Sequence, residues 1–146
     1  MIAQTIQLAL APVFVLVAIG NILNLLSTRL GRVVDRSRDL QDQHTATEGP
    51  EHDMVVTEIR LLDRRIRLIT RAIALLVSSG LAIGTTVAVL FLEELANLQL
   101  QRLAAATFLV AIALLMWALV LFLSETRIAA RQLKVPSDYL ELGRDI

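Results

Sequence analysis

Three long apolar stretches separated by polar intervals dominate the chain. Residues 2–26 contain no charge, and residues 72–92 and 103–123 are nearly as apolar. Each matches the roughly 20 residues that an α-helix needs to cross a bilayer. The pattern does not stop where the first stretch ends. Leu26, Leu30, Val33, Ser37 and Leu40 follow a four-three spacing through a segment that also carries Arg29, Arg32, Arg36 and Arg38. The same alternation returns at Ile59, Leu62, Ile66, Ile69, Ile73 and Leu76. One apolar stripe on an otherwise charged segment is the mark of an amphipathic helix. Between residues 41 and 53 the periodicity dissolves around Gly49-Pro50, which reads as the tip of a loop. The second helix is expected to begin near Asp53 or Met54.

These elements predict an all-α membrane protein with three transmembrane helices, helices 1 and 2 extending into a cytosolic antiparallel helical hairpin. The membrane domain covers residues 1–131, with the hairpin at 27–71, and residues 132–146 form a polar C-terminal tail. Pro12 removes a backbone hydrogen bond and is expected to kink the first helix near the Leu8 carbonyl. Gly80 and Gly84 make a GxxxG pair in the second span, which is either a close-packing face or incidental. Trp117 lies deep in the third span, a position for packing rather than for interfacial anchoring.

The first span carries a second pattern. Indexed by heptads, Gln4, Ala11, Ala18, Leu25 and Arg32 share one position, and Gln7, Phe14, Asn21, Thr28 and Asp35 share its partner. Polar and small residues thus gather on one seam. Such groups are expensive against lipid, so the seam is expected to face protein or water.

Composition reinforces the membrane assignment. Hydrophobic residues make up 55% of the 146, and the mean hydropathy is +0.64. There is no cysteine, which excludes disulfides and thiol chemistry. Four Phe, one Trp and one Tyr offer little for base stacking, so nucleic acid is not an expected partner. A cleaved leader is not expected either, since nothing basic precedes the first apolar run and no break follows it. The net charge of zero hides a strong asymmetry. Nine arginines lie between residues 29 and 71, whereas the second connection has Arg102 beside Glu93 and Glu94. By the positive-inside rule the N-terminus faces outward, and loop 27–71 and the C-terminus are cytoplasmic. The expected location is a bacterial inner (plasma) membrane.

The chain resembles a family of small bacterial membrane proteins catalogued as domain-of-unknown-function family 2721. Three stretches carry the resemblance: Thr28-Arg-Leu-Gly-Arg-Val-Val-Asp-Arg-Ser-Arg38, Asp63-Arg-Arg-Ile-Arg-Leu-Ile-Thr-Arg71, and Ser124-Glu-Thr-Arg127. Together they cover most of residues 2–131. The resemblance implies the architecture and a bacterial origin. It implies no activity and no functional residue.

Two features remain as candidate chemistry. The arginine clusters can act as topology signals, as a charge network, or as a site for anionic lipids. Candidate network members are Arg29, Arg32, Asp35, Arg36, Asp63, Arg64, Arg71 and Glu125, with Arg32 and Asp35 the best pair within one helix. Arg29 and Arg71 are expected near the membrane interface, within reach of Glu125. Eight acids interleave with the nine arginines, which favours an internal network over lipid binding. The polar seam either hydrogen-bonds inside a three-helix bundle or lines a path at the axis of a homo-oligomer. In the second case the pore-lining residues are Gln4, Gln7, Phe14, Asn21, Thr28 and Arg32, with Phe14 as an apolar gate. Glu93 and Glu94 would stand at an outer mouth. His44 and His52, with Glu48, Glu51 and Asp53, cluster at the loop tip, but a mobile loop is a poor metal site, so neither metal nor cofactor is expected. No nucleophile–base constellation is present, so the chain is not expected to be an enzyme. The leading expectation is a homo-oligomeric, channel-like protein with an ion as substrate. The alternative is a non-transporting scaffold or regulator that binds a partner through the hairpin.

Overall fold

The computed structural model describes residues 2–96 and 99–132. It consists of three α-helices, α1 (Ile2–His44), α2 (Pro50–Ala96) and α3 (Gln101–Gln132), with no strand among the described residues. All three are long and apolar enough to cross a membrane. At 1.5 Å per residue, α1 and α2 measure about 65 and 70 Å, more than twice the roughly 30 Å of a hydrocarbon core. Each therefore has a full span and a comparable length beyond it. Residues 133–146, nearly all of the expected tail, lie outside the described residues.

The helices are longer than the polar pattern predicts. α1 continues to His44 and α2 starts at Pro50, so the connection shrinks to a turn at residues 45–49. The cause is local chemistry. Gly49 takes φ 69°, a backbone conformation that glycine adopts without strain. Its carbonyl accepts the first backbone bond, from Asp53 N at 3.3 Å. Pro50 follows at the first helical position, where its missing N–H loses nothing, and Glu51 and Asp53 complement the positive end of the helix. Pro12 lies buried within the unbroken α1.

α2 is the central helix, packing extensively against both neighbours, while α1 and α3 approach each other far less. The α1–α2 seam has a strict seven-residue repeat. Ile19, Leu26, Val33 and Leu40 of α1 and Val55, Leu62, Ile69, Leu76 and Ile83 of α2 are all buried in one core. Contacts pair late turns of α1 with early turns of α2: Arg36 with Glu58, and His44 with His52. The α2–α3 interface is built differently, from small residues. Ala72, Ser79 and Thr86 face Ala104, Ala111 and Ala118, and all six are buried. Small side chains let two helices come close, so interhelical polar contacts become short. Ser79 Oγ donates to the Ala111 carbonyl at 2.7 Å, and the Thr86 and Thr107 hydroxyls meet at 2.9 Å. The GxxxG pair has no such role within the protomer. A side chain at Gly80 would meet Leu16 of α1 at 3.6 Å, and at Gly84 it would meet nothing within 4 Å.

Candidate functional site: a buried carboxylate where three helices meet

Glu125 is the one acidic side chain in the buried core among the described residues, with 0% of its surface exposed. It follows directly on the apolar run of α3. Arg65 of α2 approaches from one side, its Nε and Nη2 at 3.0 and 2.9 Å from Oε1. Arg29 of α1 approaches from the other, Nη2 lying 3.2 Å from Oε2. This second contact is at ion-pair distance without being aligned as a hydrogen bond. Arg29 is fixed further by donating to Thr126 Oγ1 at 3.3 Å and by lying 5.2 Å from the Phe122 ring centroid. Cation–π contact at that distance adds to the pairing. A buried carboxylate without partners would carry a heavy desolvation penalty, and two guanidinium groups offset it.

The geometry explains why these positions come together. Arg65, Ala72, Ser79 and Thr86 are seven residues apart on α2, and Ala104, Ala111, Ala118 and Glu125 are seven apart on α3. The charged node is therefore the last layer of the small-residue interface. Arg29 lies on the flank of the α1 seam, three residues beyond buried Leu26.

The remaining expected network members are dispersed. Arg36 pairs with Glu58 across α1 and α2, at 3.0 Å and well exposed. Asp63 pairs with Arg67 one turn along its own helix. Arg64 and Arg71 are exposed, and neither reaches Glu125. No ion pair joins Arg32 to Asp35 among the described residues, and both are exposed. Arg65 is the member that sequence reasoning overlooked. Its spacing to Ala72, Ser79 and Thr86 was the available signal, but that stripe is marked by small size rather than by polarity.

The polar seam of α1 also has a definite place. Gln4, Gln7, Asn21, Thr28, Arg32 and Asp35 are all exposed, and Phe14 is 69% exposed. In heptad terms the Gln7–Asn21–Thr28 line points roughly 150° away from the side that packs on α2. Thr28 turns its hydroxyl back to the Asn24 carbonyl of its own helix, at 3.0 Å. Gln4 borders an open crevice of about 630 Å³ at the opposite end of the bundle from Glu125, between α1 and α3. Glu93, Glu94 and Gln101 also border it, and Thr5 donates to Glu94 Oε2 there at 3.1 Å. At the far tip the His44 and His52 rings stand 4.3 Å apart, tilted by 54°. No group of three His, Cys, Asp or Glu able to hold a metal occurs among the described residues.

A model of the family described as "Protein of unknown function (DUF2721)" matches residues 9–135. The chain belongs to that family. The matched span contains Arg29, Arg65 and Glu125 but begins after Gln4 and Gln7. Each of the three stretches that carried the resemblance supplies one member of the node: Arg29, Arg65 and Glu125 in turn. No curated protein and no solved structure matches the chain.

Proposed function

We propose that the protein is a homo-oligomeric, multi-pass protein of a bacterial inner membrane, in which α1 faces the symmetry axis and its polar seam lines a channel-like path. The N-terminus is outside, and the stretch from 27 to 71 forms an antiparallel helical hairpin in the cytosol together with the C-terminus, as the arginine distribution favours. One observation supports the oligomer above all. Gln7, Asn21 and Thr28 are exposed on the side of α1 turned away from α2, so the three-helix bundle does not use them for its own packing. In a bilayer that leaves lipid, water or another copy as their neighbour. Lipid is the costly choice for amide side chains. A ring of copies resolves this, giving hydrated rings at Gln7 and Asn21 with an apolar constriction at Phe14 between them. The substrate under this reading is an ion.

The second reading, a non-transporting scaffold or regulator, draws support from Met54 and Leu61, apolar residues exposed on the extension of α2. Flux separates the two. The protein is reconstituted in liposomes, its oligomeric state is determined in a lipid nanodisc, and flux of Na⁺, K⁺, Cl⁻ and protons is followed. An oligomer with flux that changes several-fold in Gln7→Leu or Asn21→Leu is expected. Both residues are exposed in the protomer, so these variants should keep the parental unfolding midpoint. A monomer in the bilayer, or an oligomer without flux of any of the four ions, would overturn the channel reading.

A further inference from the structure

α2 carries a second heptad stripe besides the one that meets α1. Met54, Glu58, Leu61, Arg65, Leu68, Ala72, Leu75, Ser79, Ala82, Thr86 and Val89 follow an unbroken four-three spacing. Below Arg65 α3 covers it: Ala72 and Ser79 are fully buried and Thr86 and Val89 nearly so. Above Arg65 the stripe opens into a groove of about 620 Å³, bordered by Arg36, Met54, Thr57, Glu58, Leu61 and Arg65. Met54 is 74% exposed there and Leu61 36%. The same stripe that needs a helix over it within the membrane thus runs on for roughly 16 Å with no described residue of α3 bordering it.

The chain has a segment of matching reach and direction. Along α3 the partners on α2 recede in step: Ala111 meets Ser79, and Glu125, fourteen residues further, meets Arg65, fourteen residues back. Seven more residues carry this register to Gln132 opposite Glu58. The fourteen residues that follow are Leu-Lys-Val-Pro-Ser-Asp-Tyr-Leu-Glu-Leu-Gly-Arg-Asp-Ile. Even at helical rise they reach about 21 Å, enough to pass Met54. They contain apolar Val135, Tyr139 and Leu140 to set against Leu61 and Met54, and Lys134 to set near Asp53 and Glu58. The groove also continues the α2–α3 interface directly, beginning at its last layer, Arg65–Glu125.

We propose that residues 133–146 dock in this groove of their own protomer, extending the α2–α3 contact along the outer half of α2. The occupant is therefore the C-terminal segment rather than a second copy or a separate protein. The proposal does not depend on the channel reading, since it concerns the opposite side of the protomer from the α1 seam.

The absence of cysteine makes the test direct. Double variants Leu61→Cys/Val135→Cys and Met54→Cys/Tyr139→Cys are made in the full chain and treated in native membranes with a short bismaleimide. Arg60→Cys/Tyr139→Cys, with Arg60 exposed and off the stripe, is the control. Tagged mixtures of two lengths distinguish links within a chain from links between chains. Efficient linking within one chain for the two groove pairs, at least fivefold above the control, is expected. Links mainly between chains would assign the groove to a second copy. Linking at or below the control level would leave the groove to a separate partner. Either result overturns the proposal. Single cysteine variants with a parental unfolding midpoint guard against misfolding as the cause.

Discussion

Removing the carboxylate of Glu125 tests the central claim about the fold, that one buried acid ties three helices together. At an effective dielectric of about 20 and a charge separation of about 4 Å, each arginine interacts with it by about 4 kcal/mol before desolvation. Two such contacts exist, with Arg65 the better aligned and only 15% exposed, and Arg29 at 27%. Burial of the carboxylate offsets much of that gain, so the pairs contribute far less than their gross attraction. What a variant measures is different. Glu125→Gln leaves two partly buried guanidinium groups facing each other without an anion, and removing one member of a buried ionic group typically costs about 3–5 kcal/mol.

The assay is reversible unfolding in mixed micelles titrated with a denaturing detergent, followed by Trp117 fluorescence. Glu125→Gln should lower stability by about 3 kcal/mol or more, and Arg65→Lys by about 1–2 kcal/mol, since an ammonium cannot present two donors to one oxygen. Arg65→Gln combined with Glu125→Gln should be less harmful than the two single losses added, with a coupling of at least about 1 kcal/mol. Should Glu125→Gln unfold within about 0.5 kcal/mol of the parent, or should the two losses simply add, the node is not what joins the helices.

Three further expectations follow from the packing. Ala111→Leu places four extra heavy-atom bonds' worth of bulk into a fully buried contact and should destabilise by about 1–3 kcal/mol in the same titration, whereas Ser79→Ala, losing one interhelical hydrogen bond, should cost about 0.6 kcal/mol. Arg36→Gln breaks a pair that is exposed on both sides and should cost less than about 1 kcal/mol, with high salt abolishing the difference. Gly84→Leu should leave the protomer's unfolding midpoint unchanged because nothing lies within 4 Å, while Gly80→Leu should lower it by collision with Leu16 and Ile19.

Much of the fold is legible because hydropathy marks it. Leu26, Leu30, Val33 and Leu40 stand out from the arginines around them, and the buried seam of α1 contains the residues that this contrast selects. The α2–α3 interface is hidden for the opposite reason. Inside an apolar span every residue is hydrophobic, so what distinguishes Ala72, Ser79, Ala104 and Ala111 is volume, and a hydropathy pattern is blind to it. The conspicuous glycines attract attention that the alanines deserve. Arg65 is missed with them, since its role depends on a register that only the small residues reveal. Residues 41–53 mislead in another way: polar on all faces, they resemble a loop. Yet Gly49 and Pro50 confine the turn to a few residues, and the helices on either side continue to His44 and from Pro50.

The node and the seam are linked through α1, which makes one further consequence testable. Successive residues of a helix point about 100° apart, so fixing one side chain fixes the direction of its neighbours. Arg29, held by Glu125 and Thr126, follows immediately on Thr28 and precedes Arg32 by three residues. Leu26 and Val33 hold α1 against α2, but an apolar seam tolerates small rotations that a directional ionic contact resists. The node therefore sets the angle at which Asn21 and Thr28 face outward. Under the oligomeric reading, Arg29→Gln should disturb the contact between copies although it lies off the seam. Asn21→Cys, which has no competing cysteine in the chain, should form a disulfide between copies upon oxidation in membranes. Adding Arg29→Gln should reduce its yield several-fold. Adding Arg36→Gln, which also removes an α1 ion pair but on the exposed extension, should not. Equal yields in the two double variants would show that the core alone sets the rotation of α1, and that the charged node acts on the stability of the bundle without orienting the seam.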